Sequence, residues 1–115
     1  MPNIKELTEK LVQFRKERDW EQFHKPKDLA ISLALEAAEV LEHFQWKNEQ
    51  EIQEYIVKNK QEISEELADV FNWILLLSHD ANIDILESAE KKIEQNGKKY
   101  PVEKTRGKHT KYNKL

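Results

Sequence analysis

Residues 65–77 read EELADVFNWILLL, within a stretch of helical period running from about 60 to 80. Val70, Ile74, Leu75, Leu76 and Leu77 cover most of the circumference of that helix, and a helix apolar most of the way round is buried on several sides. Along one line of it, at i, i+4, i+7 and i+11, stand Glu62, Glu66, Asp69 and Trp73. The pair Glu66 and Asp69 therefore borders apolar surface. A matching phrase, Glu36-Ala-Ala-Glu39, lies upstream. At ~100° per residue, Leu29, Leu33, Ala37, Val40, Leu41 and Phe44 share one face, and Glu36 falls about 20° from Leu29, at its edge. Like charges so spaced repel, and placing them near a core adds a desolvation cost. The pattern predicts a cation among them.

Outward from these two helices the chain continues in the same period. Ile4, Leu7, Leu11 and Phe14 mark an amphipathic helix over 3–18 with Asn3 as N-cap, in which Glu6, Lys10 and Arg18 read as surface charges. Residues 19–27 lose the period but gather Trp20, Phe23, His24 and Pro26, an ordered loop. Asp28 is the expected cap of the next helix, to about Phe44, with Trp46 just beyond. Ile52, Tyr55 and Ile56 mark a short helix over 49–58. Asp84 and Glu87 form a capping-box pattern opening a last helix, which Asn96-Gly97 is expected to end. No strand pattern competes. The expectation is an all-α, bundle-like single domain over 1–115 with four to five helices. Its surplus of apolar helix surface predicts a homo-oligomer.

The composition narrows the chemistry. Charged residues make up 36% and Gly plus Pro number five, which favours a helical, water-facing protein. There is no cysteine, which excludes disulfides and thiolate metal sites. The longest apolar run is too short to span a bilayer and nothing reads as a signal peptide, so a cytoplasmic protein is expected. Residues 91–115 hold nine Lys or Arg and two Glu, leaving −10 of the net −3 on residues 1–90. Composition alone leaves the basic tail, about 102–115, open between nucleic-acid binding, a cationic flap over a polyanionic ligand and a solvated terminus.

Four carboxylates without His or Cys partners describe an all-oxygen site for Mg²⁺, with Mn²⁺ as a substitute. Zinc would want nitrogen or sulfur ligands, and a di-iron bundle would want Glu-x-x-His, which is absent at His43 and His79. Mg²⁺ held this way keeps positions for water and phosphate, so a phosphorylated substrate is expected. Trp20, Trp46 and Trp73 are candidate flat surfaces for a base. The non-enzymatic alternative is a helical interaction module whose basic tail binds nucleic acid.

The Glu-x-x-Glu and Glu-x-x-Asp phrases, 26 residues apart, resemble the metal motif of the MazG-like all-α NTP pyrophosphatases. ERDWEQFHKPKDL at 17–29, LEAAEVLEHFQW at 35–46, EELADVFNWILLL at 65–77 and NGKKYP at 96–101 are similar to the branch that hydrolyses dCTP. The resemblance implies hydrolysis of a nucleoside triphosphate to monophosphate and pyrophosphate, with Glu36, Glu39, Glu66 and Asp69 as catalytic Mg²⁺ ligands. It implies that Trp20, Glu21, Gln22, Phe23, His24 and Trp46 line the nucleoside pocket, with Trp73 beside them. Lys92, Asn96 and Lys99 would reach the phosphates. It also implies a homo-oligomer, a dimer or a dimer of dimers (a homotetramer), and no stable nucleic-acid or membrane partner. Trp73 stands where vertebrate members of that branch carry a tyrosine, and Leu11 where they carry a histidine. Both changes remove polar handles, so weaker discrimination between pyrimidines is expected, with modified dCTP, dTTP and dUTP as further candidates.

Overall fold

Asn3 opens α1 (Ile4–Glu17) by accepting a hydrogen bond from the Glu6 N–H at 2.9 Å, as the sequence predicts. The computed structural model describes residues 1–114. Its elements continue with a 3₁₀ turn at Glu21–Phe23, α2 (Pro26–Glu42), α3 (Glu49–Lys58), α4 (Lys60–Asp80), α5 (Ile85–Lys99), the four-residue α6 (Val102–Thr105) and a 3₁₀ turn at Tyr112–Lys114. No strand occurs among the described residues. The chain divides into two compact units, residues 1–82 and residues 83 onward.

In the first unit α4 is the central element, with α2 and α1 packed on it and α3 touching it. Leu29 of α2 and Leu75 and Leu76 of α4 are its buried apolar side chains. Burying each contributes about 1.5–3 kcal/mol. Much apolar surface stays outside: Ile31, Leu35 and Leu41 of α2, and Leu67 and Phe71 of α4, are all exposed. The i, i+4 pairs Ile31/Leu35 and Leu67/Phe71 each form a ridge on their helix.

Asp28 does not stand at the N-cap. Lys25 occupies that position, Pro26 begins the helix, and Asp28 reaches back from N3 to accept the Lys25 N–H at 3.2 Å. Proline fits here because the first helical N–H has no intrahelical partner to lose. Asn48 and Glu51 form a reciprocal capping box on α3.

In the second unit Asp84 caps α5 through the Glu87 N–H at 3.1 Å. The helix does not stop at Asn96-Gly97. Gly97 lies inside it, and the Tyr100 N–H still bonds the Asn96 carbonyl at 2.8 Å. The following basic stretch is partly helical, in α6 and at Tyr112–Lys114, where the Tyr112 ring meets Tyr100 edge-on. Residue 115, the end of the expected tail, lies outside the described residues.

Candidate active site

Packing α2 on α4 brings the two acidic phrases together. Glu36, Glu39 and Glu66 each offer a carboxylate oxygen within 4.8 Å of the others. Glu36 and Glu66 are half-buried and Glu39 is exposed. One oxygen of Glu36 and one of Glu66 are fully buried without a hydrogen-bond partner. No Lys or Arg pairs with any of the three among the described residues. Burial pushes the Glu36 carboxyl up to about 7, helped by hydrogen bonding with Glu39 and Glu66 and by the charges of Glu39 and Asp69. Burial likewise raises Glu66. These acids are held where their charge is uncompensated. The donor set is hard oxygen, and it fits a divalent cation of the Mg²⁺ or Mn²⁺ type.

Asp69, one turn beyond Glu66, is close enough to act on Glu36 and also lines a cavity of about 440 Å³ between α1, the loop after it and α4. That volume is in the range of small-molecule sites. Its apolar wall includes Leu7, Leu11, Phe14, Trp20, Trp73 and Leu76, and its polar groups include Arg15, His24 and Asn72. The wall is built by local structure. Asp19 takes a left-handed conformation at φ 54°, which Asp tolerates better than most residues, and turns the chain after α1. The Trp20 N–H then bonds the Arg15 carbonyl at 3.1 Å. This sets the Trp20 ring edge-on to Phe14 at 5.8 Å, and the His24 ring edge-on to Trp73 at 5.4 Å. Burial lowers His24, with Arg15 adding to the effect, so its ring is neutral at pH 7.

Arg15 is the site residue that sequence reasoning overlooked. Only 6% exposed, it pairs with Asp80 through two 2.8 Å hydrogen bonds, which raise Arg15 and lower Asp80. The signal was present. Leu7, Leu11 and Arg15 succeed one another at i+4 on the apolar face of α1, and Asp80 lies on the same line of α4 as Asp69 and Trp73.

The other expected pocket residues are placed unevenly. Trp20, His24 and Trp73 line the cavity. Glu21 and Phe23 are exposed and do not, and Gln22 turns back to bond the Asp19 carbonyl and carboxylate. Trp46 is 87% exposed beyond the end of α2 and does not line it either. Lys92, Asn96 and Lys99 are exposed on α5, in the second unit. His43, one turn after Glu39, is half-buried with its Nδ1 at 2.6 Å from the Tyr55 hydroxyl.

The family model for the MazG-like family matches residues 31–115. The chain belongs to that family. This MazG-like chain is 34% identical to mouse dCTP pyrophosphatase 1 and 32% identical to the human protein of that name. Each alignment covers 99% of this chain and 68% of the relative. A pyrophosphatase from Archaeoglobus fulgidus superposes with a TM-score of 0.83 at 40% identity, over 88% of this chain and 94% of that one. The helical architecture is that of MazG-like pyrophosphatases. No helix among the described residues is long and apolar enough to cross a membrane.

Proposed function

We propose that this MazG-like protein converts dCTP, or a modified dCTP-like nucleotide, to the monophosphate and pyrophosphate with Mg²⁺, and thereby clears nucleotides from the pool. The enzyme class, a nucleotide pyrophosphohydrolase, follows from relatives named dCTP pyrophosphatase and a structural neighbour named pyrophosphatase. One observation carries the finer reading: Asp69 belongs at once to the neighbourhood of the acid cluster and to the wall of an aromatic cavity. A nucleotide whose base enters that cavity brings its phosphates toward the carboxylates.

Glu36, Glu39, Glu66 and Asp69 would hold the ion. When bound, Mg²⁺ neutralises phosphate charge and acidifies water. Water attacks the α-phosphorus, the bond from that phosphorus to the bridging oxygen breaks, and pyrophosphate leaves. A carboxylate of the cluster takes the proton from the attacking water. Trp20 and Trp73 exclude solvent around the base and offer it flat faces.

The active assembly in this reading is a homo-oligomer. The exposed ridges Ile31/Leu35 and Leu67/Phe71, beside a core of few fully buried side chains, support it. The test is to incubate the protein with Mg²⁺ and each common and modified nucleoside triphosphate, and to separate the products by chromatography. The reading requires dCMP and pyrophosphate from dCTP. Release of orthophosphate, or no turnover of any nucleotide, overturns it.

A further inference from the structure

Arg15 carries a pair of donors that nothing among the described residues uses. Its Nη1 and Nη2 each give one N–H to Asp80, so the carboxylate takes the guanidinium end-on. A guanidinium holds five N–H groups in one plane. End-on pairing leaves Nε–H and the second N–H of Nη2 parallel along one edge. Nε is buried with no hydrogen-bond partner, and Arg15 lines the cavity. A buried donor left without an acceptor is costly, and a ligand that supplies one recovers that cost. His24 adds the complementary feature. It lines the same cavity, its Nδ1 is also buried without a partner, and in the neutral ring with the proton on Nε2 that nitrogen accepts.

We propose that Arg15, oriented by Asp80, reads the base in this cavity and, together with His24, selects cytosine. The inference rests on the reading above in taking the cavity as the nucleoside pocket. Cytosine presents two adjacent acceptors, O2 and N3, followed by the N4 amino donor. Two parallel guanidinium donors and one imidazole acceptor are the complement of that edge. Arginine recognises the paired acceptors of guanine by the same fork. Thymine and uracil carry a hydrogen on N3, which would confront an Arg15 N–H and leave it unpaired. Leu11 and Trp73 remove polar handles that the family resemblance led one to expect, and Arg15 restores selectivity from one turn further along α1. Asp80 is a positioning residue in this scheme, since it fixes which edge of the guanidinium is free.

The test measures binding of deoxycytidine, thymidine and 3-deazadeoxycytidine to the full chain by calorimetry, beside pyrophosphate release from dCTP and dTTP. The 3-deaza nucleoside keeps O2 and the amino group but replaces N3 by C–H. The wild type should bind deoxycytidine about ten- to hundredfold tighter than either competitor, with a similar difference between dCTP and dTTP falling on KM. The double variant Arg15→Met/Asp80→Leu replaces the pair by apolar residues, a change that folded proteins tolerate. It should bind all three nucleosides alike. Equal binding of deoxycytidine and its 3-deaza analogue by the wild type overturns the proposal without any variant, and so does an unchanged preference in the double variant. Selective nucleoside binding without pyrophosphate release would sink the hydrolase reading and keep this one. Equal turnover of dCTP and dTTP, with unselective binding, would do the reverse.

Discussion

Arg15 and Asp80 face each other through two 2.8 Å hydrogen bonds that tie α1 to the last residue of α4. The Arg15 side chain is 8% exposed and that of Asp80 24%. Removing one partner leaves the other charge in a poorly solvated place. Asp80→Leu and Arg15→Met should therefore each destabilise the fold by about 3 kcal/mol, while Arg15→Met/Asp80→Leu should recover most of that loss. Urea unfolding of the wild type, both single variants and the double variant closes the cycle. Additive losses would mean the two residues act independently.

The same pair sets an acid limit. Its hydrogen bonds to Arg15 hold the Asp80 carboxyl below its ordinary value of 3.8. A carboxyl lowered in the folded state contributes stability that is complete above the unfolded value and is lost as pH falls through the folded one. Thermal melts should show that contribution fading below about pH 4 in the wild type and absent from Asp80→Asn.

Glu36 works in the opposite direction. Burial raises it from 4.5 to about 7, so without metal the folded chain holds a proton that the unfolded chain has lost in that window. Stability should then fall as pH rises from about 4.5 to 7 and level off above, with Glu66 acting in the same sense. Mg²⁺ should abolish the decline. At a hundredfold excess over its Kd, an ion that binds only the folded state adds about 2.7 kcal/mol, a shift on the order of 10 °C in Tm. Calorimetric melts at pH 5.5 and 8, with chelator and with Mg²⁺, read both effects. A Tm indifferent to pH and to Mg²⁺ would remove the metal assignment. Glu39→Gln should lose the Mg²⁺ shift together with at least about a hundredfold in rate, on the scale expected when an electrostatic stabiliser is removed.

What the sequence could and could not reveal follows from the kind of signal involved. The Glu-x-x-Glu and Glu-x-x-Asp phrases were legible because helical spacing alone puts both pairs at the border of an apolar stripe, and α2 on α4 then brings Glu36, Glu39 and Glu66 together. Trp73 was legible by the same line. Arg15 shares the apolar face of α1 with Leu7 and Leu11, but that signal is easily overridden, because an arginine on an amphipathic helix ordinarily reads as solvated and its partner is 65 residues away. Gly97 misled for a local reason: Asn-Gly suits a left-handed cap, but a glycine with helical neighbours on both sides can also continue the helix at a cost of about 1 kcal/mol.

The apolar ridges on α2 and α4 give a prediction about assembly. Leu67 is 52% and Phe71 40% exposed, one turn apart on α4. If a second copy covers them, Leu67→Asp/Phe71→Asp should yield a monomer by sedimentation equilibrium where the wild type is a dimer or tetramer. A circular dichroism spectrum still helical would show that the variant remains folded. A monomeric wild type would overturn the assembly.

Trp46 connects that assembly to the pocket. The family resemblance implies a role for it with the nucleoside, yet its ring is 87% exposed and takes no part in the cavity wall of its own chain. Both statements hold if the ring reaches the cavity of a neighbouring copy. Trp46→Ala should then raise KM by about tenfold, the loss of one stacking ring worth about 1–3 kcal/mol, with no change in unfolding free energy because an exposed side chain adds little to its own fold. Mixing this variant with Asp69→Asn under conditions that exchange subunits should rescue activity, since hybrids would pair an intact Trp46 with an intact Asp69. Wild-type KM in Trp46→Ala, or no gain on mixing, would place the residue outside the site.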